Sequence, residues 1–229
     1  MSLFLVRHGQ ASAGSDDYDR LSELGREQSR RLGRWLAAGG YAFDRVVVGG
    51  MRRHRETLES ITEGYGAPLP EAHLDAGFAE FDHHAVFETF ARTHSGHPAV
   101  MAVQRDGLPA FGGMIRAALE AWAHERIVAS TETWSGFGAR VRAAGDRLAE
   151  HDGHALVVTS GGVIARLAQG ALDAGVPETI DLNLSLRNSG LCRFAPRVGG
   201  DAPAGSRLEL ASWNGLDHLD DERGMWTYY

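Results

Sequence analysis

Arg7, His8 and Gly9 are the residues of this chain whose types and order best suit chemistry. They directly follow the apolar run 3–6, which is the pattern of a short buried strand. The triplet therefore falls where that strand is expected to end, and ligands of open α/β sheets bind at the carboxyl ends of strands. A histidine there can attack a phosphorus atom while the neighbouring arginine binds the phosphate oxygens.

Bulk composition restricts the partners that this chain can bind. The 229 residues are 43% hydrophobic and carry a formal net charge of −7. That apolar content is enough for a sizeable core, and the length suits one large α/β domain or two small ones. The acidic balance argues against a nucleic-acid partner and against an anionic membrane surface. An anionic substrate would therefore need a local basic pocket.

Cysteine usage and apolar run lengths bear on the compartment. Cys192 is the only cysteine of the sequence, so no internal disulfide can form. Its apolar neighbours predict a buried core thiol rather than a nucleophile. The sequence has no 18-residue apolar span and no signal-peptide pattern, so we expect a cytoplasmic protein without a membrane partner. The pattern leaves the oligomeric state open.

Apolar periodicity and turn residues divide the chain into alternating strands and helices. We expect strands at 3–6, 45–48, 155–159, 191–194 and 207–213, and helices at 22–37, 52–63, 132–150 and 161–174. Residues 65–76 read as a loop, and 78–126 as mostly helical with breaks near 95–98 and 108–113. Strands that alternate with helices predict a layered α/β fold. The helical block at 82–130 is a candidate cap over one face.

Seven segments together resemble one known family. They are the opening motif 5–10, the helix 21–36, the segment 53–57 after strand 46–48, the acidic segment 78–82, the loop 157–164, and the closing segments 188–190 and 213–219. This pattern resembles the histidine phosphatase superfamily over most of the chain. The resemblance implies the phosphoglycerate-mutase-like fold: a three-layer α/β/α sandwich with a mostly parallel central sheet, as a single domain over 1–229 with the helical cap at 82–130.

The resemblance also implies roles for individual residues. His8 would be the nucleophile that forms a phosphohistidine, which water then hydrolyses. Arg7 and Arg53 would bind the non-bridging phosphate oxygens, with Arg53 favoured over Arg52 by its spacing. Glu80 would give a proton to the leaving oxygen and then act as a base toward water, unless it is an ordinary surface carboxylate.

Ser160 is a departure from the family pattern, which has a histidine just before the paired glycines. A serine can donate one hydrogen bond to a phosphate oxygen but carries no charge. Loss of one preorganised donor typically lowers a rate by ~10²–10³-fold. We still expect Ser160 and Gly161 to contact phosphate, since N–H groups at a helix start bind anions. His84 and His218 border the expected pocket, where either could replace the absent imidazole unless it is a surface or structural histidine, the reading we favour.

The resulting interpretation is a phosphatase that hydrolyses a phosphoester of a small molecule, with activity reduced by Ser160. The alternative is an inactive phosphoryl-binding module on the same fold. A phosphoglycerate mutase is the third reading, and Gly14, where mutase-type relatives carry an asparagine, argues against it. No histidine or cysteine cluster has metal-ligand spacing, and the phosphohistidine route needs no cofactor.

Overall fold

The computed structural model describes residues 2–12, 19–128, 131–197, 206–219 and 223–228. Gly14 and most of the predicted turn before the final strand lie outside these residues. Within them, six strands form one sheet in the order β3-β2-β4-β1-β5-β6. The strands are β1 Ser2–Arg7, β2 Arg45–Val48, β3 Ala72–Leu74, β4 His154–Thr159, β5 Leu191–Pro196 and β6 Leu208–Gly215.

Eight α-helices connect and cover these strands in the described part of the chain. They are α1 Glu23–Ala38, α2 Arg52–Tyr65, α3 His83–Thr93, α4 Pro98–Asp106, α5 Phe111–Ala123, α6 Trp134–Ala149, α7 Gly161–Leu172 and α8 Val176–Ser185. The predicted start of α1 is confirmed, because the Ser22 side chain accepts a hydrogen bond from the Gly25 N–H at 3.0 Å and so caps the helix. Three of the helices fall in the predicted helical block at 82–130.

Strand β1 lies inside the sheet, with a parallel neighbour on one side and an antiparallel neighbour on the other. Leu5 pairs with Val157 of β4 and with Cys192 of β5. The pairs β2–β3, β2–β4 and β1–β4 are parallel, whereas β1–β5 and β5–β6 are antiparallel. The mostly parallel sheet is therefore confirmed, with its antiparallel strands at one edge.

Alternate residues of β1 point to opposite faces of the sheet and into two separate hydrophobic clusters. Leu3 and Leu5 pack with residues of α3 to α8, whereas Phe4 and Val6 pack with α1 and α2. Each face of the sheet is thus covered by helices, which is the expected three-layer α/β/α arrangement. Cys192 belongs to the first cluster and is fully buried, and burial raises the pKa of its thiol to about 12. The prediction of a buried core thiol is confirmed.

The structure differs from the sequence prediction at three places. The expected loop 65–76 contains β3, which has only three residues, all exposed, and so is too short to give a strand pattern. Helix α8 was not predicted, because its start, Gly175-Val176-Pro177, has the composition of a turn. Gly112 and Gly113 lie inside α5 rather than in a break.

Helices α1 and α2 are in backbone contact near the C-terminal end of α2. A Cβ atom on Gly33 would lie 2.1 Å from the Ile61 carbonyl oxygen, and one on Gly64 would lie 2.0 Å from the Arg30 carbonyl oxygen. No side chain larger than hydrogen fits at either place without separating the helices. This close approach holds the last turns of α2 against α1.

We expect Gly33→Ala to lower the free energy of unfolding by about 1–3 kcal/mol, because the added methyl group meets backbone that cannot yield. Gly113→Ala is the matched control, since no atom lies within 4 Å of a Cβ built there. Alanine is the better helix former, so the control variant should be unchanged or gain up to about 1 kcal/mol. Urea unfolding of both variants measures the difference. Equal stabilities would contradict the close approach.

Candidate active site

His8 is held at the carboxyl end of β1 by backbone contacts from several elements. Its N–H donates to the Thr159 carbonyl oxygen at 2.9 Å, and its own carbonyl oxygen accepts from the Ser189 N–H at 3.2 Å. The next N–H, that of Gly9, donates to Thr57 Oγ1 of α2 at 3.0 Å. The position of this histidine is therefore fixed by β4, by the turn before β5 and by α2 together.

The ring of His8 is neutral and has a defined tautomer. Its Nδ1 atom lies 2.8 Å from the Gly9 carbonyl oxygen, which can only accept, so Nδ1 carries the proton. Burial, followed by the charges of Arg53 and Arg7, holds the pKa of the ring well below its usual value. Nε2 is consequently left with its lone pair, which is the state that a nucleophile requires.

Arg7 and Arg53 both line the cavity beside His8. The Arg7 guanidinium donates to the backbone carbonyl oxygens of Leu186 and Tyr228, so the final described segment, 223–228, reaches the site. That segment is also bound to α1, because Gln28 Nε2 donates to the Met225 carbonyl oxygen at 2.7 Å.

Arg53 is 3% exposed and forms an ion pair with Asp19. Its Nη1 atom lies 2.8 Å from Asp19 Oδ1, while Asp19 Oδ2 accepts from the Arg52 N–H at 2.8 Å. Asp19 thus orients the Arg53 guanidinium. It also accepts a hydrogen bond from the Arg52 N–H, which has no acceptor within the helix because it lies in the first turn of α2. Sequence reasoning missed Asp19, which lies between two expected elements and matches no motif there.

Glu80 is half-buried against the first turn of α7. Its Oε2 atom accepts from the Gly162 N–H at 3.0 Å, and Oε1 accepts from the Phe81 N–H at 3.1 Å. A Cβ on Gly162 would lie 2.4 Å from Oε1, so the second glycine of the pair is what lets the carboxyl approach. Burial raises the pKa of Glu80, although these N–H groups and the two arginines oppose the shift. A carboxyl group in this state suits proton donation.

One cavity of about 320 Å³ contains all of these groups. Its polar end is formed by Arg7, His8, Arg53, Glu80 and Gly161. The rest of its wall is largely apolar and includes Phe81, Phe87, Phe111, Ile115, Leu184 and Tyr228, together with His83, His84 and Asn183. A cavity with a few convergent polar groups and an apolar wall is the usual form of a small-molecule site.

Ser160 lies directly beside this cavity, yet its hydroxyl is directed elsewhere. Gly161 is among the described residues that line the cavity, whereas Ser160 is not. Ser160 Oγ is 2.7 Å from His54 Nε2 and 3.5 Å from Arg53 Nη2. The contact with His54 was missed by sequence reasoning. An unassigned histidine next to Arg53, in a chain that has a serine where the pattern has a histidine, was the available signal.

The two histidines proposed as replacements for the absent imidazole are in different places. His84 lines the apolar part of the cavity beside His83, and the two rings lie 4.3 Å apart. His218 is buried, with Nε2 3.0 Å from Ser189 Oγ, and burial lowers its pKa to about 4. His218 is not among the described residues that line the cavity, and it supports the turn that holds His8.

Two searches of the described residues bear on metals and membranes. No group of three or more histidine, cysteine, aspartate or glutamate side chains is placed there to bind a metal ion. The helices found in these same residues include none with the length and apolar character needed to cross a bilayer.

Comparison with known proteins places these observations in context. The mitochondrial serine/threonine-protein phosphatase PGAM5 of Xenopus laevis is 41% identical over 63 residues, which are 27% of this chain and 23% of that protein. A 2,3-bisphosphoglycerate-dependent phosphoglycerate mutase of Methylorubrum extorquens is 38% identical over 71 residues, 28% of this chain and 33% of that protein. The chain thus matches 23% and 33% of the length of these two relatives.

Structural similarity covers far more of the chain than these short sequence matches do. A crystal structure of a phosphoserine phosphatase from Entamoeba histolytica, in complex with phosphoserine, aligns with a TM-score of 0.62 at 19% identity, covering 95% of this chain and 98% of that one. A sequence model of the histidine phosphatase superfamily (branch 1) matches residues 3–202. With the neutral histidine, the two arginines and the paired glycines in one site, the chain belongs to the histidine phosphatase superfamily.

Proposed function

We propose that this chain hydrolyses a phosphoric monoester through a phosphohistidine on His8. The observation that carries the proposal is the shared cavity of a neutral imidazole, two arginines and a half-buried carboxyl group with a raised pKa. Nε2 of His8 attacks phosphorus as Arg7 and Arg53 bind the equatorial oxygens and offset their growing charge. Gly161 contributes to the phosphate end through its N–H at the start of α7.

Glu80 supplies the proton in this scheme. In the first step its carboxyl gives a proton to the ester oxygen, which leaves as an alcohol. In the second step the resulting carboxylate takes a proton from water as the water oxygen attacks the phosphohistidine. Inorganic phosphate is released, the His8 ring returns to its neutral form, and Glu80 regains its proton.

The cavity wall supports a substrate whose organic part is apolar. The arginines among the described lining residues are Arg7 and Arg53, and both lie at the phosphate end. His83 adds no charge near neutral pH, because burial, aided by His84, lowers its pKa to about 4. An apolar group packs well against such a wall, whereas a carboxylate or second phosphate would lose its hydration without a cation. This favours a phosphatase over a mutase of phosphoglycerate.

A cytoplasmic location is part of the same proposal. A chain with a single, buried cysteine cannot form an internal disulfide, and proteins without disulfides are typical of the reducing cytoplasm. Small phosphorylated metabolites are the partners that the cavity suits.

Removal of the nucleophile tests the proposal directly. We expect the wild-type protein to release phosphate from benzyl phosphate, and His8→Ala to abolish that release, since no phosphohistidine can form. We also expect a lower KM for benzyl phosphate than for 3-phosphoglycerate. Turnover that survives in His8→Ala would refute the mechanism. Phosphate binding without turnover in the wild type would favour the phosphoryl-binding module.

Glu80→Gln should discriminate between leaving groups. Benzyl alcohol needs a proton to leave, so this variant should hydrolyse benzyl phosphate ~10²–10⁴-fold more slowly than the wild type. p-Nitrophenolate leaves without one, so the first step with p-nitrophenyl phosphate should be affected far less. Burst kinetics separate this step from hydrolysis of the intermediate. An equal loss of the first step on both esters would exclude Glu80 as the donor.

The pH dependence follows from the two shifted groups. As the pH falls, the lowered pKa of His8 delays protonation of the nucleophile, so activity persists below the usual histidine value of about 6.5. As the pH rises through the raised pKa of Glu80, the proton donor is lost. We therefore expect kcat/KM for benzyl phosphate to be highest on the acid side of neutrality. An optimum in the alkaline range would contradict these assignments.

A further inference from the structure

His54 and Ser160 form a buried pair that the proposed mechanism does not use. His54 is fully buried and Ser160 is 1% exposed. They come from the first turn of α2 and from the residue that precedes α7, yet His54 Nε2 lies 2.7 Å from Ser160 Oγ. A polar contact of this length away from water must satisfy both groups, or it would be costly to bury.

Ser160 does not perform the usual structural task of a serine at this position. A serine just before a helix normally accepts a hydrogen bond from an N–H of the first turn. The Ser160 side chain makes no such bond to α7, and its hydroxyl turns toward His54. Capping therefore gives no account of this side chain.

The donor and acceptor properties of Arg53, Ser160 and His54 determine the direction of each hydrogen bond between them. A guanidinium can only donate, so Arg53 Nη2, 3.5 Å from Ser160 Oγ, uses the serine oxygen as its acceptor. The single hydroxyl proton of Ser160 is then available for Nε2 of His54, which accepts it when the ring is neutral. Burial and the charge of Arg53 lower the pKa of His54 well below its usual value, in agreement with this order. Nδ1 faces the backbone of Gly49.

We propose that His54 is a positioning residue which, through Ser160, orients Arg53 toward the phosphate, and that its ring fills the space that a histidine at 160 would need. This inference rests on the proposed function. Asp19 binds Nη1 of Arg53, and the His54–Ser160 pair approaches Nη2, so the guanidinium is oriented from both ends. His54 Nε2 lies 2.7 Å from Ser160 Oγ, so a longer side chain that left residue 160 in the same direction would meet the His54 ring.

Coupling between the two residues is the first test. His54→Ala and Ser160→Ala should each lower kcat/KM for benzyl phosphate by about ten- to a hundredfold, because a misplaced positioning group costs that much. The double variant should lose no more than either single one, since both changes break one unit. His54→Gln should recover most of the activity, because its amide oxygen can accept from the Ser160 hydroxyl. His73→Ala, at an exposed residue of β3, is the control and should match the wild type.

A reciprocal exchange is the second test. Ser160→His should be less active than Ser160→Ala, because two imidazoles compete for one space. His54→Ala combined with Ser160→His should be more active than either single change. Vanadate affinity, measured by calorimetry on every variant, reports the phosphate end of the cavity independently of turnover, and thermal unfolding shows that each variant is folded.

Three results would overturn the inference. The first is that His54→Ala keeps the kcat/KM and the vanadate affinity of the wild type. The second is that the losses of kcat/KM in the two single alanine variants multiply in the double variant. The third is that Ser160→His has a higher kcat/KM than the wild type while His54 is present. Failure of the proposed function would give other results: His8→Ala would still hydrolyse benzyl phosphate, or the wild type would not hydrolyse it. In the latter case, vanadate affinities still decide whether His54 positions Arg53.

Discussion

The fixed end of β1 is the constraint on which the rest of the structure depends. Its last residue, Arg7, pairs in register with Thr159 of β4, and the adjacent turn donates to the carbonyl oxygens of Arg7 and His8. A strand inside the sheet with bonded neighbours on both sides cannot slip without moving its side chains to the wrong face. The positions of Arg7 and His8 at the polar end of the cavity are therefore fixed by this register.

Burial of charge accounts for most of the chemistry of the site. Arg53 is nearly inaccessible, so its charge must be met by Asp19 and by polar groups such as Ser160. The same burial acts in opposite directions on a basic and an acidic group, since it lowers the pKa of His8 and raises the pKa of Glu80. These opposite shifts come from the exclusion of water and not from unusual residue types.

Local patterns were sufficient to predict five of the six strands in the described residues and the motif-bearing loops. The strands around the site are continuous apolar runs, and the polar triplet after the first run marks its end. The pairing of His54 with Ser160 could not be predicted in this way, because the residues are 106 positions apart. Nothing in helical spacing alone tells which residue of the first turn of α2 faces another loop. The apolar cavity wall could not be predicted either, because its aromatic residues have the same spacing in the sequence as residues of a hydrophobic core.

The contact between Arg7 and the Tyr228 carbonyl oxygen joins residues 221 positions apart. The strand that ends at Arg7 is made first on the ribosome, whereas the acceptor that helps anchor this arginine is made 221 residues later. A growing polypeptide therefore completes this part of the cavity only after Tyr228 has been added. A protease that removed the segment 223–228 would loosen the same arginine while leaving every strand of the sheet intact.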